Sequence, residues 1–149
     1  MYMHLNHLMP ADPCICISTR KAANALTNLY DEALEKSGIK VTQYSLLKTI
    51  DRSSEITINE LSKQTKLNRT TLTRNLAILE SDELIELISD PEDLRKSIVR
   101  LTKSGEKALK KAQTSWEQVQ KKAKKVLGKD LEFYVELNRK LSELSQSNA

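Results

Sequence analysis

The sequence has 149 residues, 39% of them hydrophobic and only 4% aromatic, which allows one aliphatic core and a thin one. No run approaches the roughly 18 apolar residues of a membrane span, and Pro10, Asp12 and Pro13 interrupt the start where a secretory signal would need an apolar stretch. Two cysteines suit a reducing compartment better than a disulfide scaffold, so a cytoplasmic protein is expected. Beyond Cys16 there is no histidine or cysteine, and Gly38, Gly105 and Gly128 are the only glycines. Neither a nucleophile paired with a base nor a phosphate-cradling loop can be assembled from that inventory, so no catalysis and no cofactor are expected. The net charge of +4 is weak evidence for a nucleic-acid partner, but its distribution is more telling. Residues 63–74 hold Lys63, Lys66, Arg69 and Arg74 with no acid, and residues 103–129 hold nine lysines against Glu106 and Glu117. The second cluster reads either as the solvated face of a long helix or as a source of positive potential near a phosphate backbone.

Residues 1–13 read as an arm, with Pro10 and Pro13 opposing regular structure. From about Ile15 to Lys36, Ala22, Leu26, Leu29, Tyr30, Ala33 and Leu34 recur at helical spacing, and Gly38 ends the helix. Thr42 is the expected cap of a second helix through Ile50, with Leu46, Leu47 and Ile50 inward. Thr57-Ile58-Asn59-Glu60 is a capping box, a hydroxyl followed three residues on by a carboxylate. The helix it starts lasts two turns, because Lys66-Leu67-Asn68 reads as a break. Asn68 then caps another helix whose buried face is Leu72, Leu76 and Leu79. Two short helices joined by a three-residue turn form a helix-turn-helix pattern. After Glu83 the composition turns to strand: Leu84–Ser89, a turn at Asp90-Pro91, then Ser97–Thr102, a hairpin able to protrude as a wing. Helix returns from Ser104, where Leu109, Ala112, Trp116, Val119, Ala123 and Val126 alternate by three and four. That seam predicts a partner helix along its whole length. Gly128 breaks it, and Asp130 opens a last helix with Leu131, Tyr134, Leu137, Leu141 and Leu144.

The second helix of such a unit lies in the major groove with its first turns nearest the bases. That surface is Asn68, Arg69, Thr70, Thr71, Thr73 and Arg74. Arginine can donate two hydrogen bonds to a guanine edge, and threonine can bond a phosphate or touch a thymine methyl. Three threonines so close together are poor helix formers, which favours a contact role over a merely solvated face. Arg95 and Lys96 fall at the expected wing tip, where an arginine can enter a narrow minor groove, and Asp93 is placed to hold the Arg95 guanidinium.

Over nearly its full length the chain resembles the MarR family of transcriptional regulators. The run from Ile56 to Gly105 follows that family's helix-turn-helix and wing in order and spacing, and Asp90, Asp93, Arg95, Leu101 and Thr102 match its wing pattern D-x-x-D-x-R-x(5)-L-T. The expected fold is therefore mainly α with a small β-wing: an arm at 1–13, a winged helix-turn-helix domain at 42–103, and dimerisation helices at 14–38 and 104–149. The resemblance implies a homodimer joined through the first and last two helices, binding double-stranded DNA at palindromic operators and usually repressing. It also implies release by a small phenolic or lipophilic effector or by cysteine oxidation. The sequence departs from the family at Lys66 and Glu83, where glycine is usual; a side chain in the left-handed region costs about 1–2 kcal/mol. The alternative reading is a winged-helix module used for protein contact or non-specific DNA architecture.

All three methionines, both histidines and both cysteines fall in residues 1–16. Three readings stay open there. His4, His7, Cys14 and Cys16 could bind a soft metal. Cys14 and Cys16, near a helix N-terminus, could sense oxidants. The cluster could equally be incidental to a loose arm.

Overall fold

A computed structural model describes residues 14–144. Helix α1 (Ile15–Leu34) passes through a 3-10 turn at Glu35–Ser37 and Gly38 into α2 (Val41–Ser53). A two-residue strand β1 (Ile56–Thr57) precedes α3 (Ile58–Thr65), α4 (Arg69–Ser81), β2 (Ile85–Ser89) and β3 (Ser97–Leu101). Helix α5 (Lys103–Leu127), a 3-10 turn at Gly128–Asp130 and α6 (Leu131–Glu143) follow. The arm at 1–13, with His4 and His7, lies outside the described residues.

Leu34, Ile39, Leu47, Ile50, Leu61, Leu72, Leu76, Leu79, Ile85, Val99, Leu109 and Ala112 form one core. It is drawn from α1, α2, α3, α4, the sheet and α5, so the start of α5 and the end of α1 help to bury the helix-turn-helix. The sheet is antiparallel in the order β1-β3-β2, with Leu87 opposite Val99 and Glu86 opposite Arg100. Strand alternation puts Val99 in the core and leaves Arg100 on the other face, where its Nε donates to Glu86 Oε1 at 2.5 Å. The third strand goes beyond what spacing predicts, because Ile56–Thr57 is too short to show an alternating pattern and is defined by pairing with Val99 and Ile98.

Two further expectations need correction. Thr42 does not cap α2. The helix begins at Val41, where the Lys40 N–H donates to Gln43 Oε1 (2.8 Å) and the Val41 N–H to Asp31 Oδ1 (2.7 Å). An acceptor from α1 thus does the work of a local cap, and a scan for hydroxyl caps cannot find it. The second correction concerns the seam of α5. Leu109, Ala112 and Val119 are buried within the chain itself, and Trp116 stacks on Tyr44 with ring centroids 5.4 Å apart. Only Val126, 86% exposed, is left bare at the seam's end. The unpartnered apolar surface lies elsewhere: α1 buries Leu34 alone, and α6 buries none of its residues although Phe133, Leu137, Leu141 and Leu144 share one face.

The positions that depart from glycine are left-handed. Lys66 has φ 56° and Glu83 φ 58°. Around Lys66 the Ser62 hydroxyl donates to the Leu67 carbonyl (2.9 Å), and the Thr65 hydroxyl to the Leu61 carbonyl (2.7 Å), so side chains hold the turn that glycine would otherwise ease. At Glu83, α4 closes with Leu84 N–H bonding Leu79 O and Glu83 N–H bonding Glu80 O, both 2.9 Å, the paired bonds of a Schellman ending.

Immediately after that ending, Leu84 O accepts the Thr102 N–H at 3.1 Å, and the Thr102 hydroxyl donates to Glu83 O at 2.6 Å. The same hydroxyl oxygen accepts the Gly105 N–H at 3.0 Å and so caps α5. Gly105 is buried against this junction: a Cβ there would lie 2.0 Å from Leu84 O and 2.9 Å from its carbonyl carbon. In an open helix, alanine would be favoured over glycine by about 1 kcal/mol. Here Gly105→Ala is expected to lower unfolding stability by about 1–3 kcal/mol instead, read as a fall in urea midpoint, because the obstacle is backbone. An unchanged or raised midpoint would show that α5 can lift off the turn without cost.

Candidate nucleic-acid interface

Helix α3 is set by its capping box. The Glu60 N–H donates to Thr57 Oγ1 (3.2 Å), while Glu60 Oε2 accepts from the Thr57 N–H (2.9 Å) and hydroxyl (2.8 Å). The Thr57 N–H first, and then its hydroxyl, hold the Glu60 carboxyl below the usual carboxylate range, with smaller help from Lys63 and Lys96. Helix α4 is capped by Asn68, whose Oδ1 accepts the Thr71 N–H at 2.8 Å.

With Leu72, Leu76 and Leu79 turned to the core, the opposite side of α4 carries Thr70, Arg74 and Ala77 in a row one helical turn apart, all exposed. Thr73 is exposed beside that row, whereas Thr71 is half-buried. Sequence reasoning passes over Ala77 because it carries no polar group, although its spacing from Thr70 and Arg74 is legible.

The wing loop is closed by its own polar groups. The Asp90 N–H donates to Lys96 O (3.0 Å), the Lys96 N–H to Asp93 O (2.8 Å), and the Glu92 N–H to Asp90 Oδ1 (2.9 Å). Asp93 Oδ1 takes both the Arg95 N–H (3.1 Å) and Arg95 Nε (3.2 Å), which aims the guanidinium while leaving 92% of the side chain exposed. Arg100, by contrast, is engaged by Glu86 and Glu55 on the ribbon. Leu94, 80% exposed at the tip, is a further residue that the charge pattern does not single out.

Folding brings Arg69 from the start of α4, Arg95 and Lys96 from the wing, and Asn59 and Glu60 from α3 around one open cleft of about 290 Å³. Arg74 and Thr70 stand outside it on the free face of α4, and Cys14 and Cys16, both exposed, lie at the start of α1. Among the described residues no cluster of three metal-ligating side chains occurs.

A family model described as the MarR family matches residues 39–97, which span α2, the helix-turn-helix and the wing loop. The transcriptional regulator MosR of M. tuberculosis, solved in complex with DNA, is 33% identical with a TM-score of 0.82, over 91% of this chain and 98% of that one. The chain belongs to the MarR family. A mutant MarR from E. coli, complexed with operator DNA, is 25% identical with a TM-score of 0.77, over 85% of this chain and 92% of that one. The HTH-type transcriptional regulator YxaD of Bacillus subtilis, itself uncharacterized, is 37% identical over 81 residues, 54% of this chain and 57% of that protein. The chain spans a little over half the length of the curated relatives it matches. The MarR-family wing pattern of Asp90, Asp93 and Arg95 thus has a physical content in this chain: two carboxylates organise the loop and one of them orients the arginine.

The Glu60 bond has a pH signature. A carboxyl whose folded pKa is depressed adds stability that is fully present above its unfolded pKa, about 4.3, and is lost as pH falls through the lower folded value. The difference in melting temperature between the wild type and Glu60→Gln is therefore expected to be constant above about pH 5.5 and to shift against the wild type below about pH 4. Other carboxyls titrate in both proteins and cancel. A difference that is the same at pH 3 and pH 7 would remove the ionic part of this cap.

Proposed function

We propose that the protein is a sequence-specific transcriptional regulator that binds a pseudo-palindromic operator in double-stranded DNA as a homodimer, acting in the cytoplasm as a repressor. The observation that carries this reading is the exposed row of Thr70, Arg74 and Ala77 on α4, flanked by Arg69 and by Arg95 and Lys96 of the wing. Arg74 and Thr70 suit base edges in the major groove, Asn68, Arg69, Thr71 and Thr73 the neighbouring phosphates and bases, and the Ala77 methyl a thymine. Arg95, aimed by Asp93, suits the minor groove, where positive charge senses width, and Lys96 suits the adjoining phosphates. The MosR and E. coli MarR structures, which share this fold and were both solved as complexes with DNA, support DNA as the partner of this chain.

The bare faces of α1 and α6 support dimerisation: Leu26 and Leu29 on one helix and Phe133, Leu137, Leu141 and Leu144 on the other are exposed in the single chain. Twofold symmetry would set two α4 helices about one turn of DNA apart, or a small multiple. Release is proposed through a small phenolic or lipophilic effector or through oxidation of Cys14 and Cys16, whose exposure gives oxidants access. No described helix is long and apolar enough to cross a membrane.

Selection from random duplexes yields the operator, and Arg74→Ala is then expected to weaken binding to it by about 1–3 kcal/mol while leaving random duplex nearly unchanged. Equal losses on both would make Arg74 a phosphate contact. For assembly, Leu137→Glu with Leu141→Glu is expected to give a folded monomer by sedimentation, with operator affinity reduced at least tenfold although no DNA contact is touched. Wild-type affinity from a monomer would overturn the dimer mechanism. Charges at Trp116 or Val119 would not serve, since these side chains pack inside the chain.

A further inference from the structure

The side of α5 that faces away from the core is a line of lysines. Lys103, Lys107, Lys110, Lys121 and Lys125 sit at whole-turn spacings, since Lys121 follows Lys103 by about five turns, and Lys111, Lys122 and Lys124 flank them. All eight are exposed, and none has an ion-pair partner among the described residues. Glu106 stands one turn before Lys110 and Glu117 one turn before Lys121, yet neither pairs with its neighbour. Helix α6 shows the ordinary arrangement instead, with Arg139 bound to Glu136 and Glu143 and Lys140 to Glu136. Self-repulsion along a lysine line opposes folding, so a face on which eight lysines outnumber two acids, with no ion pair formed among them, is better suited to an anion from outside than to solvent alone.

We propose that the lysine face of α5 is a second, sequence-independent binding surface for duplex DNA, separate from α4 and the wing. None of these lysines lines the cleft formed by Arg69, Arg95 and Lys96. The line extends about 33 Å and divides into two groups, whose inner members Lys111 and Lys121 are about 15 Å apart along the axis. A major groove is about 12 Å wide, so the two groups can rest on its two phosphate walls. The interval between them holds Thr114, Gln118 and a single acid, Glu117, whose carboxylate accepts from Gln113 Nε2 at 2.9 Å. Lysine is a point charge with no planar fork to align, which suits non-specific phosphate contact. A membrane surface fits less well, because an interfacial helix needs apolar residues beside its cations and α5 has turned that side into its own core. A dimer would carry two such faces, able to capture DNA before the operator is found or to hold a second duplex against an occupied operator. The dimeric form rests on the function proposed above; the lysine face itself does not.

The test compares the full-length protein with the variant Lys107→Gln, Lys110→Gln, Lys121→Gln, Lys125→Gln, which keeps helix propensity and touches no packed side chain. Binding of a labelled random-sequence duplex is followed from 50 to 200 mM salt. The variant's slope of log affinity against log salt is expected to be shallower by about 3 to 4, near 0.9 for each lysine removed. Its affinity for a single short operator duplex under excess competitor is expected to stay within twofold of the wild type, and the wild type saturated with operator is expected to take up further random duplex. Should the fourfold variant melt early, Lys121→Gln with Lys125→Gln alone is expected to reduce the slope by about 2. An unchanged slope overturns the proposal. So does loss of operator binding in the variant, which would make α5 part of the operator interface, and so does tighter wild-type binding to phosphatidylserine vesicles than to duplex. A wild type without any sequence preference overturns the operator reading instead, and the slope comparison still judges the lysine face.

Discussion

The close approach of Gly105 to the carbonyl of Leu84 fixes the relation between the parts of this chain that face outward. At that point α4 has just ended in a left-handed turn at Glu83, β2 is about to begin, β3 has finished and α5 starts. Two adjacent carbonyls and one threonine join these four elements, through Thr102 N–H to Leu84 O and Thr102 Oγ1 to Glu83 O. The junction sets the angle of the wing against α4 and the direction in which α5 leaves. A backbone contact of this kind resists small adjustment, because neither partner has a rotamer to change.

Charge in the molecule divides into paired and unpaired sets. Arg100 is committed to Glu86 and Glu55, and Arg139 to Glu136 and Glu143, and both pairings stay on the surface, where such bonds contribute little to stability but occupy the cation. Arg69 and Arg74 on α4 and the lysines of α5 have no such partner among the described residues. Arg95 is intermediate: Asp93 orients it through Nε and leaves the rest of the guanidinium free. The difference marks which cations are available to phosphate and which serve the fold.

The core explains why the helices beyond the winged unit have to exist and also why they remain unfinished. Leu34, Leu109 and Ala112 complete the cover over α2 and the sheet, so neither α1 nor α5 is a detachable appendage. Away from that core, α1 leaves Leu26 and Leu29 exposed, and α6 buries none of its residues and keeps Phe133, Leu137, Leu141 and Leu144 exposed. These two helices therefore keep apolar side chains in contact with water that the core does not take up.

The sequence by itself determined the order and kind of nearly every element, because those are set locally. Thr57 and Asn68 announce the two helix starts through side-chain bonds made within three residues, and Leu72, Leu76 and Leu79 fix which side of α4 turns inward. The wing pattern carried the Asp93–Arg95 bond, which also spans only two residues. What only the tertiary structure decided are the relations across long separations. The capping of α2 by Asp31 and the pairing of Ile56 with Val99 leave no mark in local spacing. Periodicity predicts a partner helix along the whole seam from Leu109 to Val126, whereas the cover over Leu109 to Val119 proved to be the chain's own core, with Trp116 stacked on Tyr44, and Val126 stays exposed. An apolar stripe records the need for burial in its spacing, whereas the identity of its partner is settled only when the whole chain competes for the same surface.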